Sequence, residues 1–486
     1  MTADEAAYFV QAGNTVAVSG FRVGTAKVVP LAIAEHAASQ HFQISLISGA
    51  SIGINVDSAL TFADALSRRM PFQQDPSLRH VINAGHIMFS DPHLSDLPRQ
   101  LLDGDLGNID VAIIEAIAIN EDGSIVPSLS VGCSPTFVKM AKKVIVEINL
   151  AQPLSLEGIH EIPTECGDKH TVRTVDERIG LTAIPCPLEK IVGIVITDEV
   201  DVGVVSPPPD RETDAVAHHL IELFKREVAA GHLTNSLKPI EIGVGAVSNA
   251  VMRGLASSPF KNLTMYSEVI QDAAFELLES GKLRFASASA LVLSPNLQAE
   301  IMPHLADYRD RIVLRPQDVS NSPETIRALD LICINTALES DIYGNVNSTH
   351  VNGSHMMNGI GGAGDFARNA RLSIFVLKSI AKHGAISSIV PMVTHVDHTE
   401  HDVDIIVTEQ GLADLRGLAP RERAQAIIDN CVHPDYRMQM QDYFERACRK
   451  GGHTPHMLGE AFAWHERCEK TGSMMDTNIC WLPRAA

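Results

Sequence analysis

Twice along this chain, short apolar runs alternate with helical patterns, and three consecutive prolines separate the two series. Before the break, NTVAVSGF (14–21), FQISLIS (42–48), VAIIEAIAI (111–119) and KVIVEIN (143–149) read as buried strands. ADEAAYFVQAG and KVVPLAIAEHAASQ read as helices among them. Parallel neighbours need a long crossover, which a helix supplies, so this alternation predicts a mostly parallel sheet covered on both faces. The break is SPPPD (206–210), which can continue neither a helix nor a central strand and reads as a stiff linker. After it, ETDAVAHHLIELFKREVAAG (212–231) is an amphipathic helix ended by Gly231. A second strand series follows: PIEIGVG (239–245), FASASALVL (285–293), RIVLRP (311–316), DLICINTAL (330–338), SSIVPMV (387–393) and VDIIVTE (403–409). DVAIIEAIAINEDGSIV (110–126) lines up with DLICINTALESDIYGNV (330–346), which suggests duplication. The expectation is two tandem, similar open α/β domains, 1–205 and 212–486, joined at 206–211.

Length agrees, since 486 residues exceed one ordinary core. A formal charge of −20 argues against a nucleic-acid partner, which needs a concentrated positive face. It leaves room for a small anionic ligand held locally. No run approaches the roughly 20 apolar residues of a membrane helix. The acidic start, MTADEAAYFV, reads as neither a secretory nor a transit segment. Eight scattered cysteines without a CxxC pair suggest reduced thiols and a cytoplasmic setting.

Few segments carry chemistry on their own. NGIGGAGDFARNA (358–370) satisfies G-x-G-x-x-G literally, yet no apolar strand runs into it and it lacks a P-loop lysine. Its four glycines either let the backbone approach a ligand or serve a tight loop of positive φ. Asp365 is placed to cap the next helix. THVDHTEHDVD (394–404) is rich in metal-competent side chains. On a strand, however, they face opposite ways and fit no zinc spacing, so a polar strand end is the better reading and no metal is expected. In VTEQGLADLRG (407–417), Glu409, Asp414 and Arg416 fit either an internal ion pair or a cleft.

The remaining question is Glu268, in NLTMYSEVIQDAAFELLESG (262–281). With Asp272 and Glu276 it falls at i, i+4 and i+8, the pattern of a solvated acidic helix face. It also follows an apolar run, Leu263–Tyr266, whose carboxyl end is where open α/β sheets bind ligands. A carboxylate is a nucleophile only when desolvated and positioned, which such a place can provide. Spacing leaves both readings open.

YSEVIQD (266–272), LRPQDVSNSPE (314–324), DIYGNVNSTH (341–350), NGIGGAGDF (358–366), PMVTHVDHTEHD (391–402) and VTEQGLADLRG (407–417) together resemble class I coenzyme A transferases. More narrowly they resemble the acetyl-CoA hydrolase/transferase branch, and the likeness runs from SGF (19–21) and SGASIG (48–53) to HPDYR (433–437). The resemblance implies two similar α/β domains with the active site between them, a homodimer, no tightly bound cofactor, and an acyl-CoA and a small carboxylic acid as substrates. It assigns Glu268 as nucleophile, Gly362 and Asn321 as oxyanion donors, and Glu409 as a glutamate lining the active site. For CoA it implies Gly243, Val244, Gly245, Ala246 and Val247 after the strand at 239–242, with Gly362 beside the reacting end. Lys382, after a helix at 373–381, would meet the nucleotide end, and Ser51 would lie on the substrate side.

Two places depart from the pattern. After SGF, the loop RVGTAK (22–27) is shorter than the family leads one to expect and lacks a proline. Where some members carry an arginine after the Asp of T-x-x-x-D, this chain has Val202. An arginine there would bind a substrate carboxylate, so the choice among acetate, propionate and succinate stays open. The alternative to a transferase is an acyl-CoA hydrolase using the same Glu268. A metal hydrolase at 394–404 and a non-catalytic CoA-binding module are weaker readings.

Overall fold

The computed structural model describes residues 1–164, 171–201, 203 and 208–476. Two eight-stranded sheets organise them. From edge to edge the first runs Met88–Phe89, Leu66–Met70, Ile44–Ser48, Thr15–Val18, Ile109–Ile119, Ala141–Asn149 and Ile191–Thr197, with Ile125–Pro127 antiparallel to the end of Ile109–Ile119. The second runs Ile312–Leu314, Leu283–Ala288, Leu263–Tyr266, Ile240–Ile242, Ile332–Thr336, Leu372–Val376, Ile405–Thr408 and Gly411–Asp414. Within it every neighbouring pair is parallel except the last, where Gly411–Asp414 turns back.

Seven strands of the two orders match position by position, and the eighth pairs antiparallel at a different place in each sheet. Each half begins with a strand that ends up in mid-sheet, Thr15–Val18 or Ile240–Ile242. Later strands add first on one side, then on the other. Segments 110–126 and 330–346 therefore hold equivalent central places. The strand order reverses beside Ile240–Ile242, and such a switch point opens a crevice at the carboxyl ends of the strands. Glycines 243 and 245 and Glu268 follow strands there, and Asn335 lies near the end of Ile332–Thr336.

Central strands are buried on both faces, which is why they read as continuous apolar runs rather than alternating ones. One apolar cluster joins Ile114 and Val146 of the first half to Ile242, Met265 and Ile334 of the second. The halves are also stitched through backbone. Val131 N donates to Ser289 O at 3.0 Å and Leu291 N to Leu129 O at 2.9 Å. Leu314 N donates to Ile159 O at 3.0 Å, and Gln317 N to Gly132 O at 3.0 Å.

Several expected elements differ. The helix expected at 373–381 is instead strand Leu372–Val376 followed by Ile380–Ala381. SIFVLKSIA is an apolar run that suits a buried central strand as well as a helix, and sheet pairing decides. SSIVPMV yields only Ile386–Ser387 and Ile389–Val390, outside the large sheets. FASASALVL breaks into Leu283–Ala288 and Ala290–Leu291. The first helix is only Ala3–Ala7, closed by a Thr2–Glu5 capping box. After the prolines, helix Arg211–Ala229 starts at Asp210, whose Oδ1 accepts Thr213 N at 2.9 Å, and Gly231 follows at φ 77°. Val202 and residues 206–207 of the expected linker lie outside the described residues.

Candidate active site

Glu268 does not belong to an acidic helix face. The strand Leu263–Tyr266 ends two residues earlier, Val269–Ile270 forms a short strand of its own, and the helix begins only at Asp272. Its backbone carbonyl accepts Ser289 N at 2.8 Å and Ala290 N at 3.2 Å, at the point where the halves are stitched. That pairing explains the break in FASASALVL: the chain turns at Ser289 to hold the Glu268 loop.

The Glu268 carboxyl accepts hydrogen bonds from Asn321 Nδ2 at 2.9 Å and from the Gly362 amide. Burial pushes its pKa up to about 7, opposed by Asn321 and reinforced by repulsion from Asp365. Asp365 does not cap its helix, where Gly362 holds the cap position. It reaches the other half instead, accepting Ser95 N at 3.0 Å and Ser95 Oγ at 2.6 Å, and it also meets Asn321 Nδ2 at 3.4 Å. Burial raises it too, to about 7. Behind Glu268 lies a residue with no distinguishing sequence motif, Glu241. Burial and then repulsion from Glu268 lift its carboxyl to about 8, so at neutral pH it carries a proton beside Cys333 and Asn335.

The glycine loop is explained mainly by close approach. Only Gly361 has positive φ, 61°. A Cβ on Gly362 would overlap Glu268 Oε1 and Asn321 Nδ2, one on Gly359 would strike Asp91, and one on Gly364 would strike His93. The loop therefore lies flat against Glu268 on one side and the first half on the other. Asp91 secures it by accepting Ile360 N at 2.7 Å.

These parts close around a cavity of about 170 Å³ between the halves. The first half contributes Phe21, Arg22, Ser51, Phe72 and Gln74, and the second Gly243, Val244, Glu268, Asn335, Thr336, Ser348 and the loop Asn358–Ala363. Ser51 thus stands in the wall opposite Glu268. Gly243 and Val244 line the cavity, while Gly245, at φ 133°, caps helix Ala246–Ser257, whose first turn carries Ala246 and Val247. Lys382 is not in this cavity. It lines an adjoining groove of about 450 Å³ with Ala337, Leu338, Lys378 and Glu212, reached along segment 335–338.

Glu409, expected to line the active site, is not among the residues around Glu268. Burial favours its neutral form, yet hydrogen bonds from Ser379 and Gln410 hold it below the ordinary carboxylate range. Ser379 N lies 2.8 Å from Glu409 Oε2. Asp414 and Arg416 form an ion pair at 2.6 Å that Glu227 shares, also at 2.6 Å, so the ion-pair reading holds for them. THVDHTEHDVD is irregular backbone with a short turn at Glu400–Asp402, not a strand. Asp397 accepts Ser348 N at 2.6 Å and so supports the cavity wall, while His398 packs on Phe375. Among the described residues, no three His, Cys, Asp or Glu side chains are gathered to hold a metal ion.

Comparison with known proteins agrees with this geometry. The model of the acetyl-CoA hydrolase/transferase N-terminal domain matches residues 1–205, and that of the C-terminal domain matches 298–444. A succinyl-CoA:acetate CoA-transferase of Clostridium kluyveri is 49% identical over 482 residues, covering 98% of this chain and 90% of its own. A propanoyl-CoA:succinate CoA transferase of Escherichia coli is 43% identical, covering 98% of each chain. An acetyl-CoA hydrolase of Schizosaccharomyces pombe is also 43% identical, covering 95% and 93%. Among solved structures, RipA from Yersinia pestis superposes with a TM-score of 0.72 at 20% identity, over 92% of this chain and 96% of its own. A 4-hydroxybutyrate CoA-transferase from Porphyromonas gingivalis gives 0.63 at 20% identity, over 92% and 97%. These two likenesses speak to the fold.

Proposed function

The chain belongs to the acetyl-CoA hydrolase/transferase family, and from that premise we propose that it moves CoA from a short-chain acyl-CoA to a free carboxylate through a glutamyl-CoA thioester on Glu268. The observation that carries this reading is the Glu268 carboxyl itself, desolvated at a switch point and held by Asn321 and Gly362.

The Glu268 carboxylate attacks the thioester carbonyl, forming an acyl-glutamyl anhydride and releasing CoA thiolate. The thiolate attacks the glutamyl carbonyl, expelling the first acid as its carboxylate and leaving glutamyl-CoA. A second acid then runs the sequence in reverse, so the thioester bond is passed on without ATP. When thiolate attacks, negative charge develops on the glutamyl oxygen. Asn321 Nδ2 and the Gly362 amide already point at that oxygen in the resting site, so they serve as its preorganised donors. The N-terminus of helix Ala246–Ser257, after Gly243–Gly245, favours a CoA phosphate. Lys382 in the adjoining groove suits the nucleotide end, and Ser51 faces the acyl group.

The 49% identical relative is named a transferase and the Schizosaccharomyces one a hydrolase. The two activities differ in whether water reaches the anhydride or thioester. Initial rates with varied acyl-CoA and varied acid test the reading. Parallel double-reciprocal lines, and loss of at least about 10⁴-fold in Glu268→Gln, are expected. CoA release independent of acid would instead favour the hydrolase. We also propose a cytoplasmic homodimer, the setting that eight scattered cysteines without a CxxC pair suggest. Light scattering at twice the 52.5 kDa chain mass would bear out the dimer.

A further inference from the structure

Of the described residues lining the cavity, two carry charge: Glu268 on one wall and Arg22 on the other. The Glu268 carboxyl is engaged with Asn321 and Gly362. Among the described residues Arg22 has no such partner. Its Nε is buried without a hydrogen bond, and burial, with no carboxylate beside it to compensate, pushes its pKa down. An arginine held in this way is costly unless something anionic arrives to meet it.

The backbone is arranged to present this side chain. Arg22 sits at φ 74°, a region a non-glycine residue adopts only when its surroundings enforce it. Its amide donates to Ser51 O at 2.7 Å, and Phe21 N donates to Val23 O at 3.1 Å. The end of the loop is fixed by a buried charge cluster. Lys27 bridges Glu115 and Asp201, and Glu147 accepts Lys27 N at 2.6 Å and Val29 N at 3.0 Å. The loop RVGTAK thus holds its backbone so that the Arg22 side chain lines the cavity.

Resting on the transferase reading, we propose that Arg22 binds the second carboxylate of a short dicarboxylic acyl group and so sets the acid preference of this enzyme. Thioester formation removes the charge of a monocarboxylic acid, leaving nothing for Arg22 to meet. A dicarboxylic acyl group keeps one carboxylate at its far end, and a guanidinium pairs with it through two parallel N–H donors. The small cavity suits a chain of a few carbons.

The test compares succinyl-CoA with propionyl-CoA, which lacks only the terminal carboxylate, as donors to acetate in wild type, Arg22→Gln and Arg22→Lys. The expected result is a ratio of kcat/KM, succinyl over propionyl, that falls about 10- to 100-fold in Arg22→Gln and is partly restored in Arg22→Lys. Equal losses with both donors would overturn the proposal, because Arg22 would then serve the CoA moiety or the fold. A wild type that transfers from propionyl-CoA but not from succinyl-CoA would overturn it as well. A wild type that transfers CoA to no acid would overturn the transferase reading and the proposal with it.

Discussion

At the scale of single residues, the chemistry depends on how far burial shifts Glu268. The attacking form is the carboxylate, so a carboxyl titrating near 7 limits the rate on the acid side. The acid limb of kcat/KM for acyl-CoA should bend near pH 7 and fall about tenfold per unit below it. Asp365→Asn removes a repelling charge, so the bend should move to lower pH; an unmoved bend would show that another group sets it. The same shift affects stability. The folded carboxyl holds its proton more tightly than an unfolded one of ordinary value 4.5. Stability is therefore lost as pH rises from 4.5 towards 7 and is not regained above. Glu268→Gln avoids that loss, so above pH 7 it should be more stable than wild type by on the order of 1–3 kcal/mol, with the difference vanishing near pH 4.5 in urea titrations. Gly362 separates structure from function most cleanly. Its φ of −94° suits alanine, yet the added Cβ would overlap Glu268 Oε1 and Asn321 Nδ2. Gly362→Ala should lose at least about 100-fold in kcat, roughly 3 kcal/mol, with little change in Tm. Unfolding instead would mark the glycine as a purely structural requirement.

At the scale of elements, legibility followed distance along the chain. Glu268 could be picked out because an apolar strand runs into it, and the family likeness of YSEVIQD then weighted the reading toward chemistry. Gly362 and Asn321 came the same way. Arg22 lay inside a loop marked as unusual, but nothing local tells that its guanidinium lacks a partner. Asp365 and Ser95 are 270 residues apart, and Glu241 is one buried position in a three-residue strand, so no window shows what they meet. For Glu409, a strand-end carboxylate reads alike whether it faces the cavity or, as here, accepts hydrogen bonds from Ser379. The helix expected at 373–381 failed because a buried parallel strand and a buried helix have the same apolar composition. Asp210 and Thr213 close the start of helix Arg211–Ala229, a cap the sequence reading did not single out. Asp210→Ala should cost about 1 kcal/mol in thermal or urea unfolding, and no loss would mean Glu212 and water replace the cap.

At the scale of the whole molecule, one strand order is used twice, and the two halves close on each other so that neither contains the active site alone. The second half supplies Glu268 with Asn321 and Gly362, and the first supplies Arg22, Ser51 and the Ser95 anchor for Asp365. Backbone pairing of 129–132 with 289–291 and 317 holds the halves in register where the reaction needs it. The central claim is that Glu268 carries CoA covalently between acids. Intact-protein mass spectrometry after mixing with succinyl-CoA or acetyl-CoA, in the absence of any acceptor acid, tests it directly. Wild type should gain one CoA less one water, Glu268→Ala should gain nothing, and the adduct should discharge when acetate or propionate is added. An unmodified wild-type chain under conditions where CoA transfer is observed, or an adduct that persists in Glu268→Ala, would contradict it.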